Sequence, residues 1–177
     1  MNTSMRAWIG LGANLGDAAA SIGRALDAID SLAATRIERV SSLYRSAPVE
    51  AQGPDYFNAV AEVETTLSPE ALLEQLLAIE ASEGRLRPWR NAPRTLDLDL
   101  LLAFDATGPL RVDSPSLTLP HPRMHLRAFV LAPLAELDAG LVVPDRGRVA
   151  DLLAACAGQR IERVGTLPRR APAGAAR

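Results

Sequence analysis

The segment Leu96-Asp97-Leu98-Asp99-Leu100 sets two carboxylates at alternate positions in a leucine run. In a strand, side chains two apart share a face, with about 7 Å between their Cα atoms, so both acids look one way and the leucines the other. Two such acids repel unless a cation bridges them. Mg2+, which takes carboxylate oxygens together with water and phosphate, is the usual bridge. The competing account is a strand whose outer face is simply acidic.

Just upstream, Gly84-Arg85-Leu86-Arg87-Pro88-Trp89-Arg90-Asn91-Ala92-Pro93-Arg94 forms a dense cationic loop. Guanidinium groups grip phosphate through paired hydrogen bonds. Acids able to hold a metal beside such a loop suit a polyphosphate substrate, because metal and arginines together neutralise charge as the transition state forms. Otherwise some of these arginines would only pair with Asp97 or Asp99 on a solvated face.

Further on, Leu119-Pro120-His121-Pro122-Arg123-Met124-His125-Leu126-Arg127-Ala128-Phe129 carries both histidines of the chain. They stand four apart, but the glutamate of a zinc H-E-x-x-H motif is missing and Pro122 disfavours helix at His121. Phosphate contacts from His121 and Arg127 fit better. Gly10, Gly12 and Gly16 do not match the G-x-G-x-x-G spacing and read as a tight strand-to-helix turn rather than a phosphate cradle. Tyr56, Phe57, Trp89 and Phe129 fall in or beside these loops, where a flat heterocycle could stack. Trp8, Tyr44 and Phe104 read as core, and so in the alternative does Phe57.

Composition removes other chemistries. All 19 basic residues are arginine, so a Walker A loop, a protein-kinase strand lysine and a lysine Schiff base are excluded. The single Cys156 excludes internal disulfides and cysteine-rich zinc sites. A net charge of −2 argues against a nucleic-acid binder. No apolar run approaches the ~20 residues a bilayer needs, and the N-terminus has no signal-peptide core. The sequence therefore predicts a cytoplasmic protein with no membrane association.

The elements that must position these residues follow from periodicity. Ala7 to Leu11 reads as a strand, and Ile22, Leu26, Ile29 and Leu32 recur at helical steps. Arg36 to Ser46 and Ala59 to Thr66 read as two strands. Ser68-Pro69-Glu70 supplies an N-cap, a first-turn proline and a first-turn acid for a helix striped by Leu72, Leu73, Leu76, Leu77 and Ile79 and stopped by Gly84. Thr95 to Leu102 is the next strand. The order β-α-β-β-α-β predicts an α+β, ferredoxin-like core: an antiparallel sheet with helices packed on it. A C-terminal extension follows, with helices over Arg127 to Leu137 and Val149 to Ala157 and a strand over Arg160 to Val164. One domain over residues 1–167 is expected, with 168–177 as a frayed tail.

The chain resembles the 6-hydroxymethyl-7,8-dihydropterin pyrophosphokinase family of folate biosynthesis from about Ala7 to Pro144. The most specific element is Pro93-Arg94-Thr95-Leu96-Asp97-Leu98-Asp99-Leu100. It is supported by Gly12-Ala13-Asn14-Leu15-Gly16, Tyr44-Arg45, Pro54-Asp55-Tyr56-Phe57-Asn58-Ala59, and Pro120-His121-Pro122-Arg123-Met124 through Arg127-Ala128-Phe129-Val130-Leu131.

The resemblance implies transfer of pyrophosphate from ATP to the hydroxymethyl oxygen of the reduced pterin, releasing AMP. It implies that Asp97 and Asp99 hold two Mg2+ ions and that Arg85 and Arg94 balance charge on the transferred group. Arg87, His121 and Arg127 would lie on the nucleotide side, with Glu80, Leu98 and Thr118 completing the ATP site. The pterin would lie between Trp89 and Phe129, beside Tyr56, its edge read by Asn58 and by backbone at Ser46, Ala47 and Val49. The product would pass to dihydropteroate synthase, and the enzyme would be a monomer. The chain departs from the family pattern at Trp89-Arg90-Asn91-Ala92, where familiar members carry Arg-Trp-Gly, and at Ser116, where some carry arginine. The alternative from another class is a non-catalytic ferredoxin-like module that binds a regulatory ligand or partner. It would leave the acid pair, the arginine loop and His121 without a task.

Overall fold

The computed structural model describes residues 3–14, 16–48, 53–84 and 96–167. In chain order the elements are β1 (Met5–Ala13), α1 (Ala18–Asp30), β2 (Thr35–Val40), β3 (Leu43–Ser46), β4 (Tyr56–Thr65), α2 (Pro69–Gly84) and β5 (Asp97–Asp105). Short strands β6 (Gly108–Pro109), β7 (Val112–Asp113) and β8 (Thr118–Leu119) lead to a 3-10 turn at Met124–Leu126 and helix α3 (Ala128–Asp138). Strands β9 (Val142–Val143) and β10 (Gly147–Arg148), helix α4 (Val149–Ala155) and strand β11 (Ile161–Gly165) follow. The main sheet runs β11-β3-β4-β1-β5-β6, with β2 also on β4, all antiparallel. The ferredoxin-like α+β core is thus present, with the C-terminal extension adding an edge strand and two helices.

Local chemistry explains the two core helices. Asp17 caps α1, its carboxylate accepting the Ala20 N–H at 3.1 Å, and Ser68 caps α2 by accepting the Ala71 N–H at 3.1 Å. Ile22 and Ile29 of α1 and Leu72 and Leu76 of α2 are fully buried against Ile9, Leu11, Ala61, Val63, Leu98 and Leu100 on one face of the sheet. Leu77, expected in the same stripe, is instead exposed, because one residue beyond Leu76 turns the side chain about 100° away from the sheet. The opposite face carries Trp8, Val60, Leu101 and Leu102, which pack with Met124, Leu131, Leu134 and Val149 beneath α3 and α4.

The segment expected as one strand over Arg36 to Ser46 is two. Val40 lies opposite Ala61 but Tyr44 lies opposite Asn58, so the register slips by one residue at Ser41-Ser42. The slip turns Ser42 toward α3. Glu136 accepts the Ser42 N–H at 3.0 Å, the Ser42 hydroxyl at 2.7 Å and the Tyr44 hydroxyl at 2.7 Å, while Arg163 Nε of β11 donates to Ser42 Oγ at 2.8 Å. This polar knot joins α3, β3 and β11. Burial, followed by the bond to Glu136, pushes the Tyr44 phenol up to about 12. A phenol raised above its unfolded value of about 10 lends stability that is intact below about pH 10 and fades as pH rises toward about 12. Tyr44→Phe is therefore expected to be about 2 kcal/mol less stable at pH 7. Its deficit should shrink across that alkaline window, as read from urea midpoints of both proteins. A deficit independent of pH would contradict the assignment.

Among the described residues, no helix is long and apolar enough to cross a membrane.

Candidate active site

Helices α3 and α4 cover only part of the second sheet face. On β1 the residues of that face are Trp8, Gly10 and Gly12; on β4 they include Asn58 and Val60; on β5 they are Asp97, Asp99 and Leu101. Trp8 and Leu101 lie under the helices, whereas Gly10, Gly12, Asn58, Asp97 and Asp99 floor an open cleft of about 750 Å3. Ser46, Ala47 and Tyr56 form one wall, and Arg123, Leu126, Arg127, Phe129 and Gln159 form the other.

The acids project beside bare backbone, since Asp97 pairs across the sheet with Gly12 and Asp99 with Gly10. A Cβ at Gly12 would sit only 3.3 Å from Asn58 Oδ1, tighter than an ordinary contact, whereas one at Gly10 would meet the Leu101 side chain at an ordinary 3.5 Å. Asn58 thus lies over Gly12, and its Nδ2 donates to Ser46 Oγ at 2.9 Å within the buried floor. Gly10 and Gly12 belong to the strand, which corrects their reading as a tight turn. The glycine that turns the chain with a positive φ, of 59°, is Gly16.

The backbone that carries the acids is held from behind. Glu80 on α2 accepts the Leu98 N–H at 2.6 Å, between the two aspartates, and the Leu98 side chain is buried on the helix-covered face. Glu80 and Leu98 therefore meet behind the cleft floor and are not among its lining residues.

A bulge positions the histidine. Trp8 pairs with Leu102 and Ile9 with Leu100, leaving Leu101 as the extra residue, and its carbonyl accepts the His121 N–H at 2.8 Å. His121 Nδ1 accepts the Arg123 N–H at 3.1 Å, which leaves the ring proton on Nε2. Burial pulls the imidazole below its ordinary value, Asp99 opposes that pull, and Arg127 and Arg123 reinforce it. The ring is neutral at pH 7. Thr118 stands exposed in the β7–β8 hairpin, paired with Asp113, and is not among the lining residues. The Arg127 guanidinium stacks on the Phe129 ring, 5.5 Å from its centroid. Val49, Arg85, Arg87, Trp89 and Arg94 lie outside the described residues.

Sequence reasoning missed the role of Gly10 and Gly12, and also Leu126 and Gln159. The exposed apolar Leu126 sits inside the histidine segment, which could have flagged it. Nothing in the composition around Gln159 marks that residue.

Among the described residues no group of three or more His, Cys, Asp or Glu side chains gathers to hold a metal. Two neighbouring carboxylates facing an open cleft are the donor set that suits a hard cation whose other positions go to water and substrate oxygens, as Mg2+ prefers. The residues present fit that ion.

Fold and site together define an α+β protein whose sheet presents paired acids, an asparagine and an aromatic wall in one cleft. Residues 8–139 match the family described as 7,8-dihydro-6-hydroxymethylpterin-pyrophosphokinase, and the chain belongs to that family. It is 46% identical over 160 residues to the 2-amino-4-hydroxy-6-hydroxymethyldihydropteridine pyrophosphokinase of Pseudomonas aeruginosa, covering 90% of this chain and 96% of that protein. The protein of the same name from Haemophilus influenzae is 43% identical over 148 residues, covering 83% and 90% respectively. Among solved structures, wild-type Plasmodium falciparum HPPK-DHPS with pterin and p-hydroxybenzoate superposes with a TM-score of 0.68 at 14% identity, which shows a shared fold. That match covers 87% of this chain but only 43% of the Plasmodium chain, so this chain spans less than half of it.

Proposed function

We propose that this protein transfers the pyrophosphoryl group of ATP to the hydroxymethyl oxygen of 6-hydroxymethyl-7,8-dihydropterin, releasing AMP, and that the cleft over the open sheet face is where it does so. One observation carries the reading. Asp97 and Asp99 stand side by side opposite two glycines, in the same cleft as Asn58, Tyr56 and Phe129.

Phe129 and Tyr56 offer flat surfaces to a heterocycle, and Asn58, fixed by Ser46, presents hydrogen-bonding capacity at its edge. Ala47 closes that end of the cleft. Asp97 and Asp99 would hold Mg2+, two ions by the family pattern, which when bound neutralises phosphate charge and aligns the polyphosphate. Arg127 faces the nucleotide phosphates, with His121, neutral and carrying its proton on Nε2, as a second donor. Arg85, Arg87 and Arg94 are proposed as further phosphate contacts and Trp89 as the opposing pterin stack. Glu80 serves by pinning the strand between the two acids. Catalysis is then mostly positioning: the hydroxymethyl oxygen is brought in line with the β-phosphorus, the bond to the α-phosphate oxygen breaks, and AMP leaves.

The product passes to a dihydropteroate synthase, a link supported by the HPPK-DHPS name of the Plasmodium chains. The protein is read as cytoplasmic and monomeric. Incubation with ATP, Mg2+ and hydroxymethyl-dihydropterin tests the function: AMP and the pyrophosphorylated pterin are expected. Formation of ADP would indicate a single-phosphate kinase, and no turnover a non-catalytic module.

A further inference from the structure

Helix α3 opens with Arg127 in the capping position, its backbone extended at φ −122° and ψ 109° and its side chain making no capping bond. Helices ordinarily place Ser, Thr, Asp or Asn there, because the first-turn N–H groups need an acceptor. A guanidinium has none to offer. The first N–H of the helix, that of Ala128, finds its acceptor in a distant part of the chain. Gln159 Oε1 accepts the Ala128 N–H at 2.9 Å, and Gln159 Nε2 donates to the Leu126 carbonyl at 2.7 Å.

Those two groups belong to the peptide units on either side of Arg127. A single side-chain amide therefore grips both units that set the direction of the Arg127 side chain. Gln159 is itself anchored. Its N–H donates to the Cys156 carbonyl at 2.9 Å, Cys156 is buried in the core beneath α3, and two residues later Ile161 pairs with Ser46 on the opposite wall of the cleft. Gln159 lines the cleft alongside Arg127 and Phe129.

We infer that Gln159 is a positioning residue, whose double hydrogen bond fixes the peptide units on both sides of Arg127 and so holds that cation toward the phosphates of the nucleotide. Placing the nucleotide against Arg127 rests on the function proposed above. The segment after α4 thereby takes part in the site, although among its described residues Gln159 alone lines the cleft.

The test is a cycle of Gln159→Leu, Arg127→Ala and their combination, with a non-hydrolysable ATP analogue and Mg2+ titrated into each protein. Turnover and thermal midpoints are recorded alongside. Gln159→Leu should weaken nucleotide binding roughly tenfold, the scale of two lost hydrogen bonds, with the loss falling on KM for ATP more than on kcat. In the Arg127→Ala background the same change should weaken binding by less than about twofold, since it has no guanidinium left to aim. Gln159→Met keeps the length and neutrality of the side chain and gives up both bonds. It covers the case in which Gln159→Leu fails to fold, and a similar loss with the same dependence on Arg127 is expected. Variants that bind like the parent, or that lose the same factor without Arg127, would overturn the inference. A parent that releases no AMP while the coupling to Arg127 persists would overturn the proposed reaction and leave the role of Gln159 standing.

Discussion

Asp97→Asn and Asp99→Asn should each fold as the parent does and lose roughly a hundredfold or more in turnover, the scale of removing one group that stabilises developing charge. The substitution keeps size and reach, removes the charge and turns one acceptor oxygen into an amide donor. On the open floor both carboxylates are half-exposed beside Gly10 and Gly12, so no packing is lost. Two like charges on one strand face repel, and neutralising one relieves that repulsion. The thermal midpoint of Asp99→Asn should therefore stay level or rise while activity falls. The Mg2+ concentration for half-maximal rate should move upward in both variants, as each has one hard oxygen ligand fewer. If either variant turned over like the parent at limiting Mg2+, the assignment of the pair to metal would be wrong.

The largest expected effect on stability lies away from the cleft. Glu62 on β4 is 3% exposed, and its two oxygens are divided between neighbours. Arg6 of β1 donates to Oε1 from Nε at 3.0 Å and from Nη2 at 2.6 Å; Arg39 of β2 donates to Oε2 from Nε at 2.8 Å and from Nη2 at 2.6 Å. Arg39 Nη1 also donates to the Leu137 carbonyl in the last turn of α3, at 2.6 Å. Either arginine alone still answers the buried charge, so Arg6→Met and Arg39→Met should each be tolerated, Arg39→Met less well because it also releases α3. The double variant leaves a carboxylate in the interior with no counter-charge and should lose about 3 kcal/mol or more. That loss should exceed the sum of the single effects, and adding Glu62→Gln to the double variant should recover part of it. Urea denaturation of the full set measures the coupling. Simple additivity would show that the two arginines act separately.

Much of this protein is written locally. The Ser68-Pro69-Glu70 start of α2 is stated in consecutive residues, because caps and first-turn preferences depend on groups within one helical turn. The same holds for the shared face of Asp97 and Asp99, which follows from strand pleating alone, and for the β-α-β-β-α-β order. The family is legible because its motifs are short and contiguous.

What the tertiary structure decided depends on which strand lies beside which. Gly10 and Gly12 read as a turn until β1 is laid against β5, where they become the bare backbone facing the acids. The division of Arg36 to Ser46 into two strands comes from a register slip at Ser41-Ser42 that only pairing with β4 reveals, and the exposure of Leu77 from which part of the leucine stripe α2 lays on the sheet. His121 is held against β5 because a bulge at Leu101 frees a carbonyl, and Gln159 reaches the peptide units around Arg127 across about 32 positions of chain. Hydrogen bonds and close approaches of this kind act over a few ångströms in space and are blind to separation along the chain, so no window of sequence contains them.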